Sequence, residues 1–141
     1  MSLTADSLVF TKLRPSQARP NLVARPQLTA RLEREAGRKL TLISAPAGFG
    51  KTTLLVEWLK EREDGDRSVA WVSLDEGDSD PVRFLSYLVS ALRRTVIREG
   101  FGEGVLAALR SPGPPRMEAV LGALINELVD LSGEIDVILD D

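Results

Sequence analysis

The chain has 141 residues, 43% of them hydrophobic and 28% charged, with a net charge of −3. That is enough for one domain with a core, and the charge gives no support for non-specific nucleic-acid binding. Cysteine and histidine are both absent, which excludes a disulfide framework, thiolate chemistry, the usual zinc ligand and the usual neutral-pH general base. No apolar run approaches the ~18 residues needed to span a bilayer, and residues 1–6 do not read as a signal peptide, so a cytoplasmic protein without membrane contact is expected.

Residues 1–24 read as an extended arm. Pro15, Pro20 and Pro26 argue against a helix there, while Leu8, Phe10, Leu13, Leu22 and Val23 suggest that it lies against the domain; a disordered tail is the competing reading. Residues 25–141 then form the domain proper. A helix is predicted over 26–36, where Pro26 suits the first turn and Gly37 is a natural stop.

The apolar run at residues 40–44 predicts a strand. It leads into Ala45-Pro-Ala-Gly-Phe-Gly-Lys-Thr-Thr53 and then an amphipathic helix over 51–63. Strand, glycine turn and helix in that order make a phosphate-binding loop, relaxed by Ala45 where the strict pattern has glycine. Glycines at 48 and 50 let backbone N–H groups converge on phosphate oxygens without a Cβ in the way. The helix start adds N–H groups and the positive end of the dipole. The loop residues Ala47, Gly48, Phe49, Gly50, Lys51, Thr52 and Thr53 are therefore the candidate binding set. Lys51 reaches the β- and γ-phosphates, and the Thr52 hydroxyl holds Mg²⁺. A glycine turn that binds nothing has no reason to place Lys-Thr at the helix start.

A charged connection follows at residues 61–67, then a predicted strand over 68–74. The acidic loop 75–80 lacks the spacing of a calcium loop, and Asp80-Pro81 reads as a helix cap with a first-turn proline. The helix is predicted to run to about 98, with Phe84, Leu85, Leu88, Val89 and Leu92 on one face. A short helical piece at 105–109 precedes the surface loop 111–115. A long helix over 116–131 should bury Val120, Leu121, Leu124, Ile125, Leu128 and Val129. Finally, Val137, Ile138 and Leu139 predict a buried strand closed by Asp140 and Asp141.

An apolar strand ending in Asp-Asp is the partner a phosphate loop needs. Asp140 would help hold Mg²⁺ near Thr52, and Asp141 would orient or polarise an attacking water, with Lys51 the second catalytic candidate. The competing reading makes both carboxylates solvent-facing charges. The alternation of elements predicts an α/β fold: a P-loop NTPase three-layer αβα architecture with a parallel sheet. Three strands are few for such a domain, so the chain is expected to be a fragment, truncated after the Asp-Asp strand.

The segments Leu8-Val-Phe-Thr-Lys-Leu-Arg-Pro15, Leu22-Val-Ala-Arg-Pro26, the loop itself, Trp71-Val-Ser-Leu-Asp75 and Val137-Ile-Leu-Asp-Asp141 together resemble the amino-terminal ATPase domain of MalT-like, LuxR-family large ATP-binding transcription regulators. These are signal-transducing ATPases with numerous domains. The resemblance covers nearly the whole chain after Ser7. It implies an ATP/ADP switch with slow Mg²⁺-dependent hydrolysis and self-association in the ATP state. It makes Lys51 and Thr52 the Walker A pair and Asp140 and Asp141 Walker B, and it sets Arg25 against the base or ribose of the nucleotide. DNA binding would belong to a helix-turn-helix outside this piece, and hydrolysis would be impaired in the fragment. In similar ATPases a later strand lies between the loop strand and the Asp-Asp strand, so the isolated chain should be marginally stable or have a rearranged sheet. A phosphotransferase or kinase, and a fragment acting only as an interaction scaffold, are the alternatives.

Overall fold

The computed structural model describes residues 8–17, 20–62 and 67–141. The chain start and most of the charged connection after residue 62 lie outside them. The described residues fall into two compact units, one holding the glycine loop within 15–62 and one made of 8–14 with 67–141.

In the loop unit, helix α1 spans Pro26–Glu35 and helix α2 spans Lys51–Glu61. Pro26 occupies the first turn of α1, where its missing N–H costs nothing. The helices are joined by a hydrogen bond from Trp58 Nε1 to Glu33 Oε2 at 2.8 Å, and the Arg62 guanidinium stacks 4.7 Å from the Trp58 ring centre. Leu54, Val56 and Trp58 of α2 are buried. The predicted strand at 40–44 does not form: these residues are irregular, and Leu40 and Leu42 are 82% and 84% exposed. A strand exists only when a neighbour takes its N–H and C=O groups, and among the described residues none pairs with this run.

In the sheet unit, β1 (Arg67–Ser73) pairs in parallel with β2 (Glu134–Asp140), in a register that sets Trp71 beside Ile138 and Ser73 beside Asp140. A parallel pair needs a long crossover, supplied by α3 (Pro81–Thr95), α4 (Glu103–Arg110) and α5 (Met117–Val129). Helix α3 starts as predicted, with Pro81 in its first turn and the Asp80 carboxylate accepting from the Arg83 N–H. Its face of Leu85, Val89 and Leu92 is buried in one core with Ala70, Val72, Phe101 and Val105, and Phe84 and Leu88 pack at the margin. The fold is thus mixed α/β with a two-stranded parallel sheet and helices α1–α5 among the described residues.

Three burial expectations are corrected. Of the α5 stripe only Val120 and Leu124 are buried, whereas Leu121, Ile125, Leu128 and Val129 are exposed. In β2 only Ile138 is buried, while Val137 and Leu139 are about half exposed, at 45% and 48%. A parallel strand is buried on both faces only when helices cover both and strands flank it; β2 is paired on one side only among the described residues. In the arm, Leu8 and Leu13 pack on the core through a single 3-10 turn at Phe10–Leu13, but Phe10 and Val23 face solvent. No described helix is long and apolar enough to cross a membrane.

Candidate functional site

The loop is shaped by its two glycines. Gly48 and Gly50 have φ of 84° and 75°, left-handed values that a side chain resists. Gly50 is the N-cap of α2, and its carbonyl accepts the first helical bond, from the Leu54 N–H at 2.9 Å. Upstream, the Phe49 N–H donates to the Pro46 carbonyl at 3.3 Å and closes a turn around Ala47 and Gly48. The Phe49 side chain stands in solvent, 66% exposed. Thr52 and Thr53 follow Lys51 in the first turn of α2, all three half-buried.

Two cations hold the loop from inside its own unit. Lys51 Nζ folds back onto the Ala45 carbonyl at 2.8 Å, tying the end of the loop to its start. Arg25, at the N-cap of α1, donates from Nη1 to the Phe49 carbonyl at 3.1 Å and from Nη2 to the Gly50 carbonyl at 2.7 Å. A Cβ on Gly50 would stand 3.0 Å from Arg25 Nη2, so the guanidinium adds a second reason for glycine there. The structure therefore brings Arg25, Gly48, Phe49, Gly50, Lys51, Thr52 and Thr53 together in one unit. It does so through a turn with left-handed glycines on either side of Phe49, immediately before the helix start. The Thr52 hydroxyl and a carboxylate are hard oxygen donors of the kind Mg²⁺ takes.

Asp140 and Asp141 belong to the sheet unit. Asp140 is half-buried at the carboxyl end of β2, its backbone carbonyl accepting from the Leu74 N–H at 2.7 Å; Asp141 follows it, exposed.

The acidic loop has a different task. Asp75 and Asp78 cap a 3-10 turn at Glu76–Ser79 reciprocally: Asp75 accepts from the Gly77 N–H at 2.9 Å and Asp78 from the Asp75 N–H at 2.8 Å. Lys12 Nζ bridges the two carboxylates, 2.9 Å from Asp75 and 2.5 Å from Asp78, and lies 4.3 Å from the centre of the Tyr87 ring. Arg83 Nε adds a contact to Asp78 at 3.3 Å, and the Tyr87 hydroxyl accepts from the Val9 N–H at 3.1 Å. Hydrogen bonding to Lys12 holds the Asp75 carboxyl below its ordinary range. Asp78 is also held low, because the bonds from Lys12 and the Asp75 backbone outweigh the burial that opposes them. Burial likewise opposes the charged form of Lys12, but Asp78 and Asp75 prevail and raise its pKa. These carboxylates thus dock the arm, and no group of three or more Asp, Glu, His or Cys placed to hold a metal ion occurs among the described residues. Sequence inspection missed this network, since Lys12 and Asp78 lie 66 positions apart and no local spacing links them.

No family model matches the chain. It is homologous to part of several curated proteins. It is 38% identical over 131 residues to the serine/threonine-protein kinase PknK of Mycobacterium tuberculosis, covering 93% of this chain and 12% of that protein. It is 34% identical over 134 residues to the HTH-type transcriptional regulator MalT of Yersinia enterocolitica, covering 95% of this chain and 14% of the regulator. Against MalT of Vibrio cholerae it is 31% identical over 121 residues, covering 86% of this chain and 13% of the regulator. The chain thus spans about an eighth of the length of the curated relatives it matches.

Proposed function

We propose that the chain is a nucleotide-binding module: it takes the phosphates of ATP or ADP with Mg²⁺ in the loop 45–53 and acts as a regulatory switch within a MalT-like, LuxR-type transcriptional activator. The observation that carries this reading is the loop itself, with left-handed glycines at 48 and 50, a helix opening at Lys51, and the Lys51 ammonium bonded back to the Ala45 carbonyl at the loop's start. In this reading the amides of residues 47–53 take the phosphate oxygens. Lys51 leaves the Ala45 carbonyl for the β- and γ-phosphates, and Thr52 supplies a hydroxyl ligand to Mg²⁺. By resemblance, Asp140 is the carboxylate partner of the metal and Asp141 orients the attacking water in slow hydrolysis. Bound Mg²⁺ supplies charge neutralisation on the phosphates. The intact protein self-associates in the ATP state, and its contact with DNA is made by a domain outside this chain.

A kinase or phosphotransferase role for this segment is less well supported. Nearly the same stretch of the chain matches proteins named for two different activities, a protein kinase and a transcription regulator. A segment common to both is more simply a part that each can use, and nucleotide-dependent switching is such a part.

Titration of the chain with a fluorescent ATP analogue and Mg²⁺ tests the proposal. Lys51→Ala should weaken binding at least tenfold, since it removes the one ammonium from a phosphate contact worth about 1.5–3 kcal/mol. Equal binding by both proteins would discard the loop assignment. Asp140→Ala should weaken binding more with Mg²⁺ than without; equal loss in both conditions would remove its assigned role.

A further inference from the structure

We infer that Arg25 is a positioning residue that aims the loop's backbone amides, acting on the phosphate side of the nucleotide and not on its base or ribose. This rests on the nucleotide reading of the loop. The guanidinium donates to two successive carbonyls, Phe49 at 3.1 Å and Gly50 at 2.7 Å. Every peptide bond described is trans, and across a trans peptide the carbonyl and the following N–H point in opposite directions. Holding the Phe49 and Gly50 carbonyls toward Arg25 therefore turns the N–H groups of Gly50 and Lys51 away from it. These are two of the amides expected to meet phosphate at the helix start. The Gly50 carbonyl also accepts the Leu54 N–H at 2.9 Å, so both of its lone pairs are used and Arg25 is tied to the first turn of α2.

The arginine is itself well anchored. It caps α1 immediately before Pro26, which restricts its backbone, and α1 is tied to α2 by the Glu33–Trp58 bond. The planar fork fixes the geometry of two adjacent acceptors, whereas a lysine ammonium, with rotatable donors on one nitrogen, does not. The tight approach to Gly50 couples the two residues, since any Cβ at position 50 would push against Nη2. Both terminal nitrogens of the guanidinium thus donate to the loop.

Calorimetric titration of the full chain with Mg-ATP and, separately, with inorganic tripolyphosphate separates the two roles, because tripolyphosphate has neither base nor ribose. Wild type, Arg25→Ala, Arg25→Lys and Lys51→Ala are compared, with circular dichroism to check folding. Arg25→Ala should lose about tenfold or more for both ligands by the same factor, on the scale of a hydrogen bond to a charged group. Arg25→Lys, which keeps the charge and loses the fork, should show a smaller loss, again equal for both, and it carries the test if the alanine variant fails to fold. In the unliganded protein, the amide resonances of Gly50 and Lys51 should shift in Arg25→Lys. Loss confined to Mg-ATP would overturn the inference and return Arg25 to the base or ribose. Unchanged affinity for both ligands, or unshifted amides, would overturn it as well. Wild type that binds neither ligand, or Lys51→Ala that binds both normally, would instead overturn the nucleotide reading, and the role of Arg25 would fall with it.

Discussion

Replacing Lys12 by methionine should release the arm from the sheet unit. Methionine keeps the apolar stem that packs beside Tyr87 but removes the ammonium, leaving the Asp78 carboxylate, only 3% exposed, without its nearest cation. Breaking a buried pair by removing one partner costs about 3–5 kcal/mol. Here Asp78 keeps Arg83 Nε at 3.3 Å and the Asp75 N–H at 2.8 Å, and Lys12 retains some exposure, 12% of its side chain. We therefore expect about 2–3 kcal/mol, a value discounted for those remaining partners and for solvent. That is a large fraction of the ~5–15 kcal/mol typical of a domain. Urea unfolding monitored by circular dichroism measures it, with limited proteolysis reporting exposure of the arm. The double variant Lys12→Met/Asp78→Asn should recover more than about 1 kcal/mol of the summed single losses, as coupled neighbours do. A single-variant loss below about 0.5 kcal/mol with no coupling would mean that the pair behaves as a surface ion pair, and the docking argument would fail. The pH dependence follows from the signs. Asp75 and Asp78 are held below the ordinary carboxylate value, so their contribution is complete above it and is lost as pH falls through their folded values. Lys12 is raised, so its contribution is complete below the ordinary lysine value and is lost as pH rises through the higher folded one. The stability gap between wild type and Lys12→Met should therefore be flat around neutrality and close toward strong acid.

Other consequences are open to direct measurement. Gly102 has φ of 74°, and a Cβ there would lie 2.6 Å from the buried Val89 Cγ1. Gly102→Ala should thus cost at least about 2 kcal/mol through strain and overpacking, and an unchanged melting temperature would contradict the described contact. The Gly102 N–H donates to Glu127 Oε2 at 2.5 Å. Glu127→Ala should lower stability by about 1–2 kcal/mol in denaturant titration, with Glu127→Gln recovering part of it because an acceptor remains. In the loop unit, Trp58→Phe removes the donor to Glu33 and should cost about 1 kcal/mol, read as faster amide exchange along α1.

Much of the molecule was legible in the order of its residues. Helix starts were marked by chemistry that acts locally: Pro26 and Asp80-Pro81 opened α1 and α3 where expected, and Gly50-Lys51 opened α2. The glycines at 48 and 50 marked the turn, and both take positive φ there, a conformation that other residues resist. Local signals of this kind depend on a few neighbouring atoms, so a sequence carries them whole.

What depended on partners was not legible. The run 40–44 has a strand's composition but no strand beside it among the described residues. The apolar stripe of α5 was drawn wide by periodicity and buried only at Val120 and Leu124, because periodicity says which face is apolar and not how much of it a neighbour covers. Lys12 meeting Asp78, and Arg25 meeting the Phe49 and Gly50 carbonyls, are pairings across 66 and about 25 positions that no spacing rule encodes. The sequence by itself determined the loop, its glycines and the helices that follow from caps and turns. Only the tertiary structure decided which cations hold which acceptors, because hydrogen bonds and burial are properties of atoms brought within a few ångströms by the fold of the whole chain.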